Sequence, residues 1–360
     1  MATKDQLKIR ALELGFDACG VAAAGTARHA DHFLAWLREG HYGDMHWLAR
    51  EPHRRTDPRQ VLPGACSVVV VAASYYQGAS FRMGPGRFAR YAWGADYHDV
   101  LLPKLRQLAD FLAERGGSQK CYVDTGPVLE RDFSAEAGVG WQGKSTLCLN
   151  RRLGTWFFLG TILTTLALEP DSPARGHCGS CRRCLDACPT GALSAPYRLE
   201  ATRCLSYLTI EHQGPIPEEF RPALGDRVYG CDDCLEACPW NRFAVQARDL
   251  RFYEIAPVRD LSLGRLATLS EDEFRILFRK SPVKRLKWRR FMRNVCVALG
   301  NVGESADLGA LRRLEVCGDA LVAEHARWAV SQIEARCRVA PAAGGCPEAT
   351  AGNEAVEERA

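Results

Sequence analysis

No apolar run in this 360-residue chain reaches the roughly 20 residues that a bilayer-spanning helix requires. The opening segment, MATKDQLKIRALELGFDACG, mixes charges and lacks a continuous apolar stretch, so it does not read as a secretory signal. Charge of one sign is also scarce: 47 Lys and Arg against 43 Asp and Glu leave a net +4. That excludes a global field for nucleic acid, and any such surface must be a local patch. No signature-period repeat runs through the chain. With 47% apolar and 25% charged residues the composition is that of a globular protein. A cytoplasmic monomer of two or three domains is expected, with no membrane contact.

Cysteine, by contrast, is abundant. There are 16, and eight fall between Cys178 and Cys238. Disulfides rarely persist in the cytosol, so the clustering points to metal. The first run is Cys178-x2-Cys181-x2-Cys184-x3-Cys188-Pro189, the bacterial ferredoxin spacing. There, three close thiolates wrap one 4Fe–4S cluster and the fourth ligates the other. The second run is Cys204, then Cys231-x2-Cys234-x3-Cys238-Pro239. Chain crossing then assigns Cys178, Cys181, Cys184 and Cys238 to one cluster, and Cys188, Cys204, Cys231 and Cys234 to the other. Structural zinc is the rival, but zinc sites usually pair two C-x2–4-C hooks instead. Cys19, Cys66, Cys121, Cys296, Cys317, Cys337 and Cys346 carry no assigned role.

Local patterns divide the chain. Thr3 to Phe16 reads as an amphipathic helix with Leu7, Ala11, Leu12 and Leu14 on one face. Ser67 to Tyr76, Lys120 to Asp124 and Trp156 to Leu168 read as strands, and Asp96 to Glu114 as a helix ended by Gly116-Gly117. These predict a mixed α/β (α+β) domain over 1–170 and a ferredoxin-like double-cluster module over 171–245. After Pro257, four helices (Glu271 to Lys280, Leu286 to Leu299, Ala306 to Val316, Ala320 to Arg336) predict an all-α, HEAT-like domain over 246–338. Residues 339–360 read as a disordered tail.

Two further segments stand out. Gly138-Val-Gly-Trp-Gln-Gly143-Lys144-Ser145 satisfies the expression of a phosphate-binding loop. Such a loop needs a strand before it and a helix after it, whereas this one follows the helix-like stretch Glu130 to Ala137. The glycines suit close approach of another flat cofactor. Arg275 to Arg293 holds nine cations and no acid: Arg275, Arg279, Lys280, Lys284, Arg285, Lys287, Arg289, Arg290 and Arg293. Such a block sets a strong local potential for phosphates, with Trp288 and Phe291 interleaved.

Taken together, Tyr122-Val-Asp-Thr-Gly-Pro-Val-Leu-Glu-Arg131, Ala137-Gly-Val-Gly-Trp-Gln-Gly-Lys144 and the two cysteine runs resemble the epoxyqueuosine reductase family. So do Cys204-Leu-Ser-Tyr-Leu-Thr-Ile-Glu211 and Tyr229-Gly-Cys-Asp-Asp-Cys234 with Cys238-Pro-Trp-Asn241. The likeness runs in order from residue 1 to about 335. It implies a cobalamin-dependent enzyme that reduces epoxyqueuosine to queuosine at the wobble position of tRNA. It also implies clusters that feed electrons to base-off cobalamin, and an external low-potential electron donor.

Removing an epoxide oxygen takes two electrons and two protons and releases water, so a cofactor must carry electrons and an acid must protonate the leaving oxygen. Asp124 ends a strand before Gly126-Pro127, where it could cap the turn; its match to the family's proton donor makes it the candidate acid. Glu130 and Asp132, on a helix start expected to be exposed, are rivals. Cobalamin contacts are expected from Tyr97, His98, Lys144, Ser145 and Cys148, and from Ser206, Asp232 and Asp233 beside the second cluster. The alternatives are a reductive dehalogenase-like enzyme and an iron–sulfur carrier without its own substrate site. The basic C-terminal helices count against the former and the size of the α/β domain against the latter.

Overall fold

The structure, a computed structural model, describes residues 3–78, 86–253 and 261–339. Residues 340–360 of the expected tail, Cys346 among them, and Pro257, after which the helical pattern is expected, lie outside the described residues. Four antiparallel strands form the main sheet, in the order Ala18–Ala23, Ser67–Ser74, Phe157–Thr164 and Gln119–Tyr122. The β-branched run Ser67–Ser74 is buried along its whole length. Its alternate residues serve two cores. Val69, Val71 and Ala73 pack with Leu7, Leu105 and Leu108 from the Thr3–Glu13 and Tyr97–Ala113 helices. On the other face Val68, Val70 and Ala72 pack with Phe133 and Val139. A strand covered on both faces needs no polar alternation, and the sequence shows none. A Cβ at Gly20 would run into the Ala137 carbonyl oxygen. Glycine thus lets the end of the Glu130–Glu136 helix settle on this sheet.

The expected elements are present here, mostly shorter than drawn. The first helix stops at Glu13, and Leu12 is 47% exposed rather than packed. It follows buried Ala11 directly, so a helical step of about 100° turns it off the apolar stripe. The Tyr97–Ala113 helix is capped by Asp96, whose carboxylate accepts the His98 N–H at 3.2 Å.

In the cysteine-rich segment two short helices, Arg183–Asp186 and Asp233–Glu236, lie against each other. They carry Cys184 and Cys234. Beyond it, helices Glu271–Leu277, Lys287–Val302, Leu308–Glu315 and Ala320–Val339 share one core. Met292, Val295 and Leu299 meet Val322, Ala326 and Ala329 there. The core continues through Phe88, Trp93 and Tyr229, so this helical end is fused to the rest of the molecule.

Candidate active site and cluster module

Asp124 occupies a three-residue turn closed by the Thr125 N–H on the Val123 carbonyl at 2.8 Å. Its φ is +63°, a left-handed conformation that costs a non-glycine residue and is retained mostly at functional positions. The turn exposes the Asp124 side chain, and the Tyr97 hydroxyl donates to its Oδ2 at 2.6 Å. Tyr97 is buried, stacked on Phe158 (4.4 Å, 11°) and on the His98 ring (4.1 Å). Burial, then the Asp124 charge, pushes the Tyr97 phenol far up, so it remains a donor.

Glu130 and Asp132 depart from the exposed helix start expected of them. Asp132 is buried and takes the His29 N–H and ring Nδ1, both at 2.8 Å. Glu130 is partly buried and accepts from Thr161 Oγ1 at 3.1 Å. Burial first, then the Asp124 carboxylate, raises its carboxyl to about 8, against hydrogen bonds from Thr161 and the Asp124 N–H. A carboxyl that holds its proton up to about pH 8 therefore stands beside Asp124. The helix start expected to be exposed is covered because the Glu130–Glu136 helix is pressed onto the sheet, not raised into solvent.

His98 gives Nδ1–H to Asp96 at 2.8 Å, which turns Nε2 away from that pair. Asp96 also receives Lys284 at 3.3 Å, and its N–H donates to the Lys280 carbonyl at 2.8 Å. The basic segment thus adjoins the start of the helix that bears Tyr97. It is less bare than its sequence. Arg275 pairs with Glu271 and Asp272, Arg285 with Glu211, and Arg289 with Asp319. Arg290 is half-buried on the Ile210 and Arg285 carbonyls. Arg293 is a correction: it is 0% exposed and donates to the carbonyls of Leu208, His212 and Gly214, each at 2.8 Å. On the Lys287–Val302 helix its position falls on the apolar face, so it anchors a loop instead of meeting phosphate. Among the described residues no acid lies within ion-pair distance of Arg279, Lys280 or Lys287.

The glycine-rich segment is a hairpin. Strands Trp141–Gln142 and Cys148–Leu149 pair antiparallel, and Gly143 N–H donates to the Leu147 carbonyl at 2.8 Å. No helix leaves it, so it cannot cradle phosphates as a phosphate-binding loop does. Lys144 reaches across to the carbonyls of Gly179 (2.6 Å) and Cys181 (2.9 Å), clamping the hairpin to the first cysteine run. Ser145 is buried, and Cys148 is buried with its sulfur 3.2 Å from Ser134 Oγ.

The thiols that influence one another fall into two groups. Cys238 feels Cys178, Cys181 and Cys184, while Cys234 feels Cys188, Cys204 and Cys231. Two sets of four thiols fit two 4Fe–4S clusters. Backbone N–H groups aim at several of these sulfurs: Leu185 at Cys184, Ser206 and Tyr207 at Cys204, Asp233 at Cys231, and Trp240 at Cys238. Such bonds stabilise thiolate charge and tune cluster potential. The Ser206 amide thus faces the Cys204 sulfur. Asp232 accepts the Arg90 N–H, and Asp233 accepts Arg227, both at 2.6 Å.

Comparison with known proteins gives one direction. A 4Fe-4S double cluster binding domain matches residues 177–241, and an epoxyqueuosine reductase QueG model (DUF1730) matches residues 55–125. An epoxyqueuosine reductase of Xanthomonas campestris is 41% identical over 337 residues, covering 91% of this chain and 95% of its own. A crystal structure of an epoxyqueuosine reductase with an epoxyqueuosine-modified tRNA-Tyr stem loop superposes with a TM-score of 0.86 at 32% identity. It covers 92% of this chain and 90% of that one. The Bacillus subtilis epoxyqueuosine reductase, solved with an aspartate-bearing catalytic loop swung out of its active site, gives 0.84 at 30% identity over the same shares.

Proposed function

The chain belongs to the epoxyqueuosine reductase family, and from that premise we propose that Asp124 is the proton donor of its reaction. The protein is an oxidoreductase that carries iron–sulfur clusters and reduces epoxyqueuosine in tRNA to queuosine. The observation that supports the Asp124 assignment best is its exposed carboxylate on a left-handed turn, held by the buried Tyr97 hydroxyl at 2.6 Å. An acid placed on a strained, solvent-facing turn and gripped from one side is poised toward a substrate.

We assign the first cluster to Cys178, Cys181, Cys184 and Cys238, and the second to Cys188, Cys204, Cys231 and Cys234. We propose cobalamin as the further cofactor. Among the described residues, His98 Nε2 and Trp141 Nε1 are buried polar atoms without a hydrogen-bond partner. An imidazole acceptor and an indole donor are each of the kind that the corrin's amide side chains would bond. Tyr97, His98, Lys144 and Ser145 would hold it from the α/β side, with Asp232 and Asp233 beyond the second cluster. When bound, cobalamin supplies the low-valent cobalt that delivers the clusters' electrons to the epoxide.

The chain's own residues supply the protons. Opening the C–O bond leaves an alkoxide, which Asp124 protonates; loss of the oxygen as water needs a second proton. Glu130, protonated below about pH 8, is the nearest reserve. Tyr97 keeps the Asp124 carboxylate in position throughout and does not itself ionise. The exposed cations Arg279, Lys280, Lys284, Arg285, Lys287 and Arg289 would take tRNA phosphates on the side where Lys280 and Lys284 meet Asp96.

Anaerobically prepared protein tests this reading by metal analysis and by nucleoside analysis of epoxyqueuosine-containing tRNA after incubation with a reductant. Retained cobalt with conversion to queuosine supports it. Iron without cobalt, and no conversion, would leave only an electron carrier.

A further inference from the structure

The two cysteine sets have different neighbours. On the second-cluster side, Cys234 and Asp232 both act on Tyr75. The Tyr75 ring lies 4.5 Å from Phe158, which stacks on Tyr97, the residue that holds Asp124. The first-cluster side meets solvent through cations and aromatic rings. Arg151 Nη2 lies 2.7 Å from Nε2 of His177, the neighbour of Cys178. The His177 ring contacts Trp240 at 5.7 Å, and Trp240 contacts Phe243 at 5.6 Å. Arg242 lies over Phe243 at 4.5 Å, and Phe243 is 44% exposed. Arg151, Arg182, Arg183 and Arg242 are all exposed. The adjoining Asp186 is engaged by Arg182 at 2.8 Å, so it offsets one of these charges only.

We propose that this face of the first cluster is the docking surface for an acidic one-electron carrier protein, which charges the clusters from outside. The proposal rests on the cluster assignment above. A ring of cations around a redox centre steers an acidic partner and raises its on-rate, and exposed Phe243 offers an apolar centre for the contact. Each docking moves one electron: the carrier is oxidised by one, the cluster is reduced by one, and no bond forms. Two such events supply the two electrons that one epoxide consumes. tRNA is the other polyanion that cations attract. The exposed cations without ion pairs next to the Asp124 region, Lys280 among them, already serve it, on the segment that meets the Tyr97 helix.

The test compares the cluster-loaded holoenzyme with its R151E/R183E/R242E variant. Reduced flavodoxin serves as the acidic carrier and titanium(III) citrate as a small reductant. Cluster bleaching is followed by stopped-flow absorbance, which needs no tRNA and no turnover. The expected result is at least about a tenfold slower bleaching by flavodoxin at low salt, with the wild-type rate falling toward the variant's as salt rises. Bleaching by titanium citrate and the KM for tRNA should stay within about twofold, as expected when only long-range steering is lost. Unchanged flavodoxin rates would overturn the proposal. So would a raised KM for tRNA with flavodoxin bleaching intact, which would give the face to nucleic acid. Failure of the wild type to convert tRNA under titanium citrate would instead sink the functional reading, and leaves the bleaching comparison to decide the docking surface.

Discussion

The Tyr97 hydroxyl donates a 2.6 Å hydrogen bond to Asp124 Oδ2, joining the first turn of the Tyr97–Ala113 helix to the left-handed turn after the Gln119–Tyr122 strand. These residues are 27 apart in sequence. The bond holds one carboxylate oxygen and leaves the other free for the proposed proton transfer. Replacing Tyr97 by Phe should lower kcat by about 3- to 10-fold, the loss of one hydrogen bond that positions Asp124. The KM for tRNA should hold, because Tyr97 is buried behind Asp124. Steady-state kinetics on the loaded enzyme checks this, and a rise in KM alone would place Tyr97 in substrate binding.

Glu130 gives the molecule a pH signature. Its carboxyl is raised from the ordinary 4.5 to about 8, so between those values the folded chain holds a proton that the unfolded chain has released. Stability is therefore greatest below pH 4.5 with respect to this group and is lost as pH rises toward 8. The loss is on the order of a few kcal/mol at most. Urea denaturation at pH 5 and at pH 8 should show a smaller difference for Glu130→Gln than for the wild type. Equal differences would mean that Glu130 is ionised in the folded state.

Two cations in one basic run should behave oppositely. Arg293→Ala leaves the carbonyls of Leu208, His212 and Gly214 without their donor and should cost about 3–5 kcal/mol of stability by denaturant titration. Lys280→Ala should leave stability within about 0.5 kcal/mol. It should instead weaken tRNA binding and reduce the slope of log K against log salt by about 1.

Chain crossing predicts which iron is lost. Cys188 lies in the first cysteine run, yet its thiol acts on Cys204 and Cys234. Cys188→Ser should therefore remove or weaken the same spectroscopic centre as Cys204→Ser, leaving about four irons per chain in each. A Cys188 variant that instead matches Cys181→Ser would refute the crossed assignment.

The cysteine spacing was legible because part of each ligand set is local: x2 and x3 intervals place neighbouring thiols within reach, and only the crossing ligands wait on tertiary contacts. The buried strand Ser67–Ser74 was legible for the same reason, from its unbroken β-branched run. Other features depend on contacts that the chain order conceals. Arg293 looked like its cationic neighbours until the helix turned it onto the core. The bare basic run acquired acids from Asp96, Glu211 and Asp319. Glu130 and Asp132 read as surface acids, because nothing local shows that Thr161 and His29 close over them. Asp124 itself owed its selection to family likeness. Its geometry, the positive φ and the grip of Tyr97, emerges only in three dimensions.

The most direct test of the account is conversion of epoxyqueuosine-containing tRNA by the reduced, cluster- and cobalamin-loaded enzyme, wild type against Asp124→Asn. The amide cannot donate a proton as the acid does, yet it preserves the shape of the turn. The variant should keep its iron, cobalt and tRNA affinity while turnover to queuosine falls by about 10²- to 10⁴-fold. Turnover at the wild-type rate would contradict this and remove Asp124 from the chemistry.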